Sequence, residues 1–254
     1  MNNEYLERAE QNGLLDVIKE WIKGEEFVTA SRIQREFSVG FCTANAVFDY
    51  LKEEGLIEKE PTYSKGNRVI NYNPLTDMKI YLLDINEQIV DALKKEFKSY
   101  SGVQIIKDDF AHFMYTHKDV ECIVSPANAF GYMDGGYDKA ITDYFGKELE
   151  QEVQRFINKH LFGEQPVATS LMVDIPNTNK KLIHTPSMRL PSPIKDPLVI
   201  YQCMRTTLMV AIKAKMSSIV IPSFGGATGK VEPKVIAKYM RLGYEQIIDH
   251  MKNR

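Results

Sequence analysis

The chain has 254 residues, of which 44% are hydrophobic and 26% are charged, and its formal net charge is −2. This composition is typical of a globular protein of one or two domains and excludes collagen-like, coiled-coil and disordered chains. The near-zero net charge does not favour nucleic acid or anionic lipid as a partner of the whole chain.

Neither a membrane segment nor a metal site is indicated by the sequence. No apolar run approaches the roughly 18 residues that a membrane-spanning helix needs, and the first residues, MNNEYLERAE, are unlike a signal peptide. The three cysteines, Cys42, Cys122 and Cys203, are too widely spaced for a disulfide framework or a metal-ligand pattern. We therefore expect a cytoplasmic protein with no membrane partner, no metal and no other cofactor.

A cluster of Asn, Pro and Asp at residues 71–77 predicts a boundary between two domains. The first domain would span Met1–Pro74 and the second Leu75–Arg254. The first contains nine Lys and Arg against thirteen Asp and Glu, a net charge of −4, which leaves the second at +2.

The first domain has apolar residues at helical spacing, followed by two short apolar runs. Its predicted elements are a helix along the stripe Leu14–Ile22, a helix over Ala30–Phe37 capped by Thr29, a helix over Cys42–Glu54, and strands over Leu56–Glu60 and Asn67–Tyr72. Helix, helix, turn, helix and hairpin in this order predict a winged helix.

Part of this domain resembles the winged-helix gamma domain of the DNA translocase FtsK, through Gln34-Arg-Glu-Phe37, Gly40-Phe41 and Leu51-Lys-Glu-Glu-Gly-Leu-Ile57. The resemblance implies that the second helix of the motif contacts DNA bases, for which Asn45 is the best suited side chain. Candidate phosphate contacts are Arg32, Arg35, Lys65 and Arg68. Because the domain is acidic overall, protein contact or dimerisation remains an equal alternative.

The second domain alternates strands with helices, which predicts an α/β sheet covered on both faces. The predicted strands are Met78–Asp84, Val103–Ile106, Val120–Ser125, Val167–Ile175, Lys181–Thr185 and Ser218–Pro222. The predicted helices are Glu87–Lys98, Tyr137–Tyr144, Glu148–His160, Pro197–Lys215 and Glu232–Met251.

Two glycine-containing loops follow predicted buried strands and precede helices. The first is Ser125-Pro-Ala-Asn-Ala-Phe-Gly-Tyr-Met-Asp-Gly-Gly-Tyr-Asp-Lys-Ala-Ile141, and the second is Pro222-Ser-Phe-Gly-Gly-Ala-Thr-Gly229. Glycine allows backbone amides to approach a ligand closely, and a helix N-terminus favours an anion. Two such loops at the carboxyl edge of one sheet would suit a diphosphate.

Four segments of this domain resemble a macro domain, the ADP-ribose-binding fold. They are VQIIKDDF, SPANAFGYMDGGYDKAI, KLIHT and SSIVIPSFGGATG. The second resembles the family's first phosphate loop, NAANSSLLGGGGVDGAI, without a gap, and the fourth resembles its second phosphate loop. The resemblance implies a three-layer α/β/α macro domain with a mixed, mostly parallel sheet, preceded by the small winged-helix domain.

The resemblance also implies a binding site for ADP-ribose or an ADP-ribosylated substrate. Asp109 would accept a hydrogen bond from the adenine amino group, and the two loops would enclose the diphosphate. The implied ligand-binding residues are Asp109, Phe110, Ala127, Gly135, Gly136, Tyr137, Ser223, Phe224, Gly225, Gly226, Ala227, Thr228 and Gly229.

Asn128 and Asp138 match the asparagine and aspartate of hydrolytic members, in which they position the distal ribose and a water molecule. The resemblance thus implies hydrolysis of an ADP-ribosyl bond on a macromolecule or a nucleotide metabolite. The chain departs from the motif at Ser125, where the family has asparagine, and at Pro126, which follows it. Tyr137 replaces a small aliphatic residue, and Asp134 replaces a glycine.

Simpler roles stay open for several of these residues. Asp109 could simply cap a turn. Asp138 could be present because the dipole at the start of a helix stabilises an acidic side chain. Asn128 could satisfy the backbone groups of its loop. His184 is expected to be structural, while Tyr132 and Phe224 could either shape the distal-ribose pocket or pack the loops. The alternative function is a sensor without turnover, which binds ADP-ribose or an NAD-derived signal and transmits its occupancy through the winged helix.

Overall fold

The computed structural model describes residues 2–25, 27–61, 65–69, 75, 78–100 and 102–252. The chain divides into an N-terminal unit, residues 1–77 with 251–254, and a C-terminal unit, residues 78–250. Each unit has its own hydrophobic core.

Four helices and a small antiparallel sheet make up the N-terminal unit. The helices are α1 (Asn2–Gln11), α2 (Leu14–Trp21), α3 (Ala30–Glu36) and α4 (Phe41–Glu53), and the strands are β1 (Phe27–Val28), β2 (Ile57–Pro61) and β3 (Asn67–Val69). The strand order is β1-β3-β2. Helices α1 and α3 both pack against α4.

Local sequence explains the elements that were predicted in this unit. The Thr29 side chain accepts a hydrogen bond from the Arg32 N–H at 3.1 Å and so caps α3. Leu15 and Ile18 of α2 are buried in the core of the unit. Helix α1 and strand β1 were not predicted, because α1 is mostly polar and β1 has only two residues. Residues 62–64, 70–74, 76 and 77, which include most of the predicted boundary and part of the predicted hairpin, lie outside the described residues.

The C-terminal unit contains a six-stranded sheet with the order β5-β4-β9-β6-β8-β7. Its strands are β4 (Lys79–Asp84), β5 (Val103–Lys107), β6 (Cys122–Ser125), β7 (Leu171–Asp174), β8 (Lys181–His184) and β9 (Ser218–Pro222). All neighbouring pairs are parallel except β7 with β8. The expected mixed, mostly parallel sheet is confirmed.

Helices alternate with these strands. They are α5 (Glu87–Glu96), α6 (Phe110–Thr116), α7 (Gly136–Phe145), α8 (Glu148–His160), α9 (Leu198–Lys213) and α10 (Pro233–Lys252). Every residue of β6 and β9 is buried, as expected for central strands that helices cover on both faces.

Several bounds in this unit differ from the prediction, and three differences have a clear physical reason or consequence. Strand β7 begins at Leu171 rather than Val167, because Ala168 has a φ of 62° and interrupts the extended backbone. Helix α9 ends at Lys213, and Lys215 beyond it has a φ of 55°. Helix α6 was not predicted, although Phe110, Phe113 and Met114 bury one face of it.

Two features are absent from the described residues. No helix there combines the length and the apolar content needed to cross a membrane. No group of three or more His, Cys, Asp or Glu side chains in the same residues is arranged to hold a metal ion.

Candidate functional site

The candidate site lies where four parallel strands of the C-terminal unit end. Strands β5, β4, β9 and β6 are consecutive in the sheet, so their carboxyl ends form one edge. Ile123 of β6 pairs with Val220 of β9. Because these strands are neighbours, the two glycine-containing loops leave the sheet side by side, at the edge where such folds bind ligands.

The side chain of Asn128 organises the first of these loops, residues 125–136. Its Oδ1 accepts hydrogen bonds from the N–H groups of Phe130 at 3.1 Å and Tyr132 at 3.4 Å, and its Nδ2 donates to the Tyr132 carbonyl at 3.1 Å. Asn128 is buried, so these bonds satisfy a side chain that water does not reach. These bonds stabilise the shape of the loop from within.

Asp138, in the first turn of α7, is bonded to the end of β6. Ser125 Oγ donates to Asp138 Oδ1 at 2.7 Å, and the backbone N–H groups of Ala127 and Asp138 also donate to the carboxylate. Burial raises the pKa of the Asp138 carboxyl to about 7; these hydrogen bonds oppose the rise, and the nearby charge of Asp134 adds to it. A carboxyl of this kind can exchange a proton near neutral pH.

Helix α7 begins with backbone amides that face no protein acceptor. Gly135 precedes the helix in an extended conformation without a side-chain cap, and Gly136 has a φ of 55°. A Cβ placed on either glycine would meet no atom within 4 Å. Among the described residues, the N–H groups of residues 134–137 have no hydrogen-bond acceptor. The helix N-terminus is thus an open site for an anion.

The second loop, residues 222–232, presents a similar run of amides. Gly225 has a φ of 85°, and a Cβ on Gly229 would lie 2.6 Å from the Gly225 carbonyl oxygen, so the loop turns back on itself. The N–H groups of residues 224–229 have no acceptor in the described part of the chain. Ala227 and Thr228 are exposed, whereas the ring of Phe224 is fully buried beneath the surface of the loop.

A third segment, residues 186–194, connects the two loops and was not predicted from the sequence. The Ala129 N–H donates to the Met188 carbonyl at 3.1 Å, and the Ile194 N–H donates to the Gly229 carbonyl at 2.9 Å. These backbone bonds hold the first and second loops in a fixed relation. Only the prolines of this segment mark it in the sequence, and they do not indicate what it contacts.

The expected adenine side lies at the end of β5. Asp109 caps α6, with its Oδ1 accepting from the His112 N–H at 2.9 Å, and its side chain is exposed. Asp108 Oδ2 lies 2.6 Å from His112 Nδ1 and raises the pKa of that imidazole. The buried ring of Phe110 packs edge-on against Tyr137, with ring centroids 5.3 Å apart. This contact joins the start of α6 to the start of α7.

The hydroxyl of Tyr137 is buried and has no hydrogen-bond partner among the described residues. Burial holds the pKa of this phenol well above its usual value, and the charges of Asp138 and Asp84 act in the same direction. Asp84 ends β4 and accepts a hydrogen bond from Ser223 Oγ, which ties the second loop to the sheet.

His184 supports the site from inside the sheet. Its Nδ1 lies 2.6 Å from Gln165 Oε1, and the Gln165 N–H donates to the carbonyl of Ala129 in the first loop. Burial lowers the pKa of His184 to about 3, so the ring is neutral at physiological pH. This geometry favours the structural role that the sequence indicated.

The candidate DNA contacts of the N-terminal unit are largely engaged within that unit. Arg32 forms a 2.5 Å ion pair with Glu25, and Asn45 Nδ2 donates to the Phe41 carbonyl of its own helix at 2.9 Å. Arg35 Nε bonds the Ser31 carbonyl at 3.3 Å, and the Lys65 ammonium lies 5.3 Å from the centre of the Phe27 ring. Arg68 belongs to β3, but its side chain lies outside the described part of the structure.

Comparisons with known proteins agree with the resemblance of the second domain. Residues 124–240 match the family model of the macro domain. An uncharacterized protein of Aquifex aeolicus (strain VF5) is 29% identical over 126 residues, which cover 49% of this chain and 73% of that protein. Residues 124–240 of the C-terminal unit are thus similar to the macro domain.

Two solved structures show more distant similarity. The Oceanobacillus iheyensis macrodomain with ADP is 25% identical with a TM-score of 0.43, and the match covers 53% of this chain and 71% of that one. The Trypanosoma brucei macrodomain in complex with ADP-ribose is 16% identical with a TM-score of 0.42, covering 67% of this chain and 58% of that one.

Proposed function

We propose that the C-terminal unit binds ADP-ribose, or an ADP-ribosylated substrate, at the carboxyl edge of its sheet. The observation that carries this proposal is the pair of loops whose backbone amides, at residues 134–137 and 224–229, have no acceptor in the part of the chain that the structure describes. Consecutive amides of this kind form an anion-binding concavity. Two of them on neighbouring strands suit the two phosphates of a diphosphate.

The remaining parts of the ligand follow from the order of the strands. Adenine would lie by Asp109 and Phe110 at the end of β5, and the diphosphate would lie between the two loops. The distal ribose would then lie towards Asn128 and Asp138. Asp109 already accepts one hydrogen bond as a helix cap, and a carboxylate has the capacity to accept another from an amino group.

We further propose that the site hydrolyses an ADP-ribosyl bond. A water molecule attacks the anomeric carbon of the distal ribose, its oxygen forms the new bond to that carbon, and the bond to the leaving group breaks. Asp138 takes one proton from the attacking water, the leaving group takes a proton from solvent as it departs, and Asp138 then returns its proton to solvent, which restores the carboxylate. A carboxyl with a pKa of about 7 is ionised for a large fraction of the time at neutral pH and is still basic enough to take the proton.

Release of ADP-ribose from ADP-ribosylated protein and nucleic acid tests this step. Asp138→Asn should reduce turnover by about 100-fold or more, because it removes the proton acceptor, while ADP-ribose still binds in calorimetry. Asp143→Asn is the matched control, since it removes an exposed carboxylate of the same helix that pairs with Lys139. Equal turnover by Asp138→Asn and the wild type would contradict the proposed chemistry.

The second candidate is a sensor, in which the N-terminal unit is a winged helix that responds to the bound nucleotide. The engagement of Asn128 with its own loop favours binding without catalysis. Exposed Phe41 and Cys42 at the start of α4, together with the pairing of Arg32, favour a protein partner over DNA. Binding of ADP-ribose without turnover of any substrate would support this candidate. Retention of the full chain on duplex DNA that weakens with salt would then identify DNA as the partner.

A further inference from the structure

The candidate catalytic carboxyl is anchored by the residue at which the chain departs from the family motif. Ser125 stands where the resembled motif has asparagine. It is the last residue of β6 and is fully buried, and its hydroxyl donates to Asp138 Oδ1 at 2.7 Å. Thirteen residues separate the two side chains along the chain. The bond therefore fastens the first turn of α7 directly to the central sheet.

Ser125 is the one side chain among the described residues that donates a hydrogen bond to this carboxyl. The other donors are the backbone N–H groups of Ala127 and Asp138, which belong to the loop and the helix. The Ser125 donor, by contrast, belongs to a fully buried strand of the central sheet. The hydrogen bond from Ser125 thus fixes the orientation of the Asp138 carboxyl relative to the sheet, and movement of the exposed part of the loop around a ligand would not change it.

We propose that Ser125 is a positioning residue, whose hydroxyl fixes the Asp138 carboxyl in the orientation needed to take a proton from the attacking water. This inference rests on the hydrolytic function proposed above. It assigns to Ser125 a role in the reaction without contact with the substrate. It also explains how a site with serine at this position keeps its carboxyl oriented.

The hydroxyl has a second, measurable effect on the same group. A hydrogen bond to the ionised form of a carboxyl stabilises that form and lowers its pKa. Loss of a bond to a charged group is worth about one pH unit in the midpoint of titration. Starting from a midpoint near 7, that change lowers the ionised fraction at pH 7 about fivefold.

The test is a titration of the Asp138 carboxyl by carbon-13 NMR in the full chain, with Asp138→Asn used to assign the signal. Two variants are compared with the wild type: Ser125→Ala removes the donor, and Ser125→Cys keeps most of the volume with a weak donor. Ser187→Ala is the matched control. Ser187 is also buried, and its hydroxyl bonds the Pro126 carbonyl of the same loop at 3.3 Å rather than Asp138.

Both Ser125 variants should raise the midpoint by about one pH unit, and Ser187→Ala should leave it unchanged. In turnover, the acidic limb of the kcat profile should move up by the same amount while KM stays constant. An unchanged midpoint in both Ser125 variants would overturn the proposal. If the wild type turns over no substrate, the hydrolytic function fails, and an unchanged or shifted midpoint still decides whether Ser125 holds the carboxyl.

Discussion

At the scale of single residues, Asp138 couples the proposed chemistry to stability. Its pKa is raised to about 7 in the folded chain, against a usual value near 3.9 in an unfolded one. Between these values the folded state binds more protons than the unfolded state, so the contribution of this group to stability falls as the pH rises.

Asp138→Asn should therefore stabilise the C-terminal unit at pH 8 and not at pH 4. An amide has no charge to bury, and its oxygen can still accept from Ser125. The expected gain in the free energy of unfolding at pH 8 is on the order of 2–4 kcal/mol, measured by urea unfolding followed by circular dichroism. A gain of equal size at both pH values would show that the carboxyl is not destabilised by burial.

Tyr137 gives a second prediction at this scale, because its buried hydroxyl has no acceptor among the described residues. An unsatisfied buried donor costs about 1–3 kcal/mol. Tyr137→Phe removes only that group, so the melting temperature should rise, whereas Tyr144→Phe, at an exposed ring that also packs on Phe110, should have no effect. A lower melting temperature for Tyr137→Phe would mean that the hydroxyl is bonded after all, for example through water.

At the scale of elements, a substitution at the start of α7 is expected to change ligand binding without changing the stability of the fold. Gly135 has a φ of −137°, which any residue adopts, and a Cβ there would meet no protein atom. Gly135→Ala should leave the free energy of unfolding within about 0.5 kcal/mol of the wild type.

The same Gly135→Ala change should weaken ADP-ribose binding at least tenfold in calorimetry, because the methyl group occupies the space in which the diphosphate approaches the amides. Gly40→Ala, at the N-cap of α4, is the matched control outside the site, because Gly40 has a φ of −67° and a Cβ there would also meet no atom within 4 Å. Unchanged affinity in Gly135→Ala would place the diphosphate elsewhere.

Most elements with a clear local signal were predicted, helix α6 being an exception, and elements without one were not. The predicted Glu148–His160 helix and Ser218–Pro222 strand agree with α8 and β9 to the residue, because apolar periodicity and flanking breaks define both. The start of β7 was wrong because a positive φ at Ala168 leaves no pattern in the sequence. Helix α6 carried a readable signal, namely Asp109 as its cap followed by apolar residues at helical spacing.

The candidate site was predictable as two loops but not as a set of contacts. Their glycines and the preceding buried strands are visible in the sequence. By contrast, the bond from Ser125 to Asp138, the bond from Ser223 to Asp84, and the link through residues 186–194 depend on which strands are neighbours. Strand order is a property of the folded sheet, so these contacts needed the structure.

At the scale of the whole molecule, the chain combines an acidic N-terminal unit with a C-terminal unit that is similar to a macro domain over residues 124–240. In the C-terminal unit, one edge of the sheet carries the Asp138 carboxyl and both runs of amides that have no acceptor among the described residues. In the proposed site, backbone amides bind the diphosphate, and one side chain, Asp138, takes the proton in hydrolysis. Recognition can therefore be tested without any assumption about turnover.

The most direct test is a calorimetric titration of the full chain with ADP-ribose and, separately, with adenosine. Both contain the base that would lie by Asp109, but only ADP-ribose contains the diphosphate. The account predicts that ADP-ribose binds at one site per chain and at least 100-fold more tightly than adenosine, a difference of about 2.7 kcal/mol. Equal affinity for the two compounds, or no binding of ADP-ribose, would contradict it.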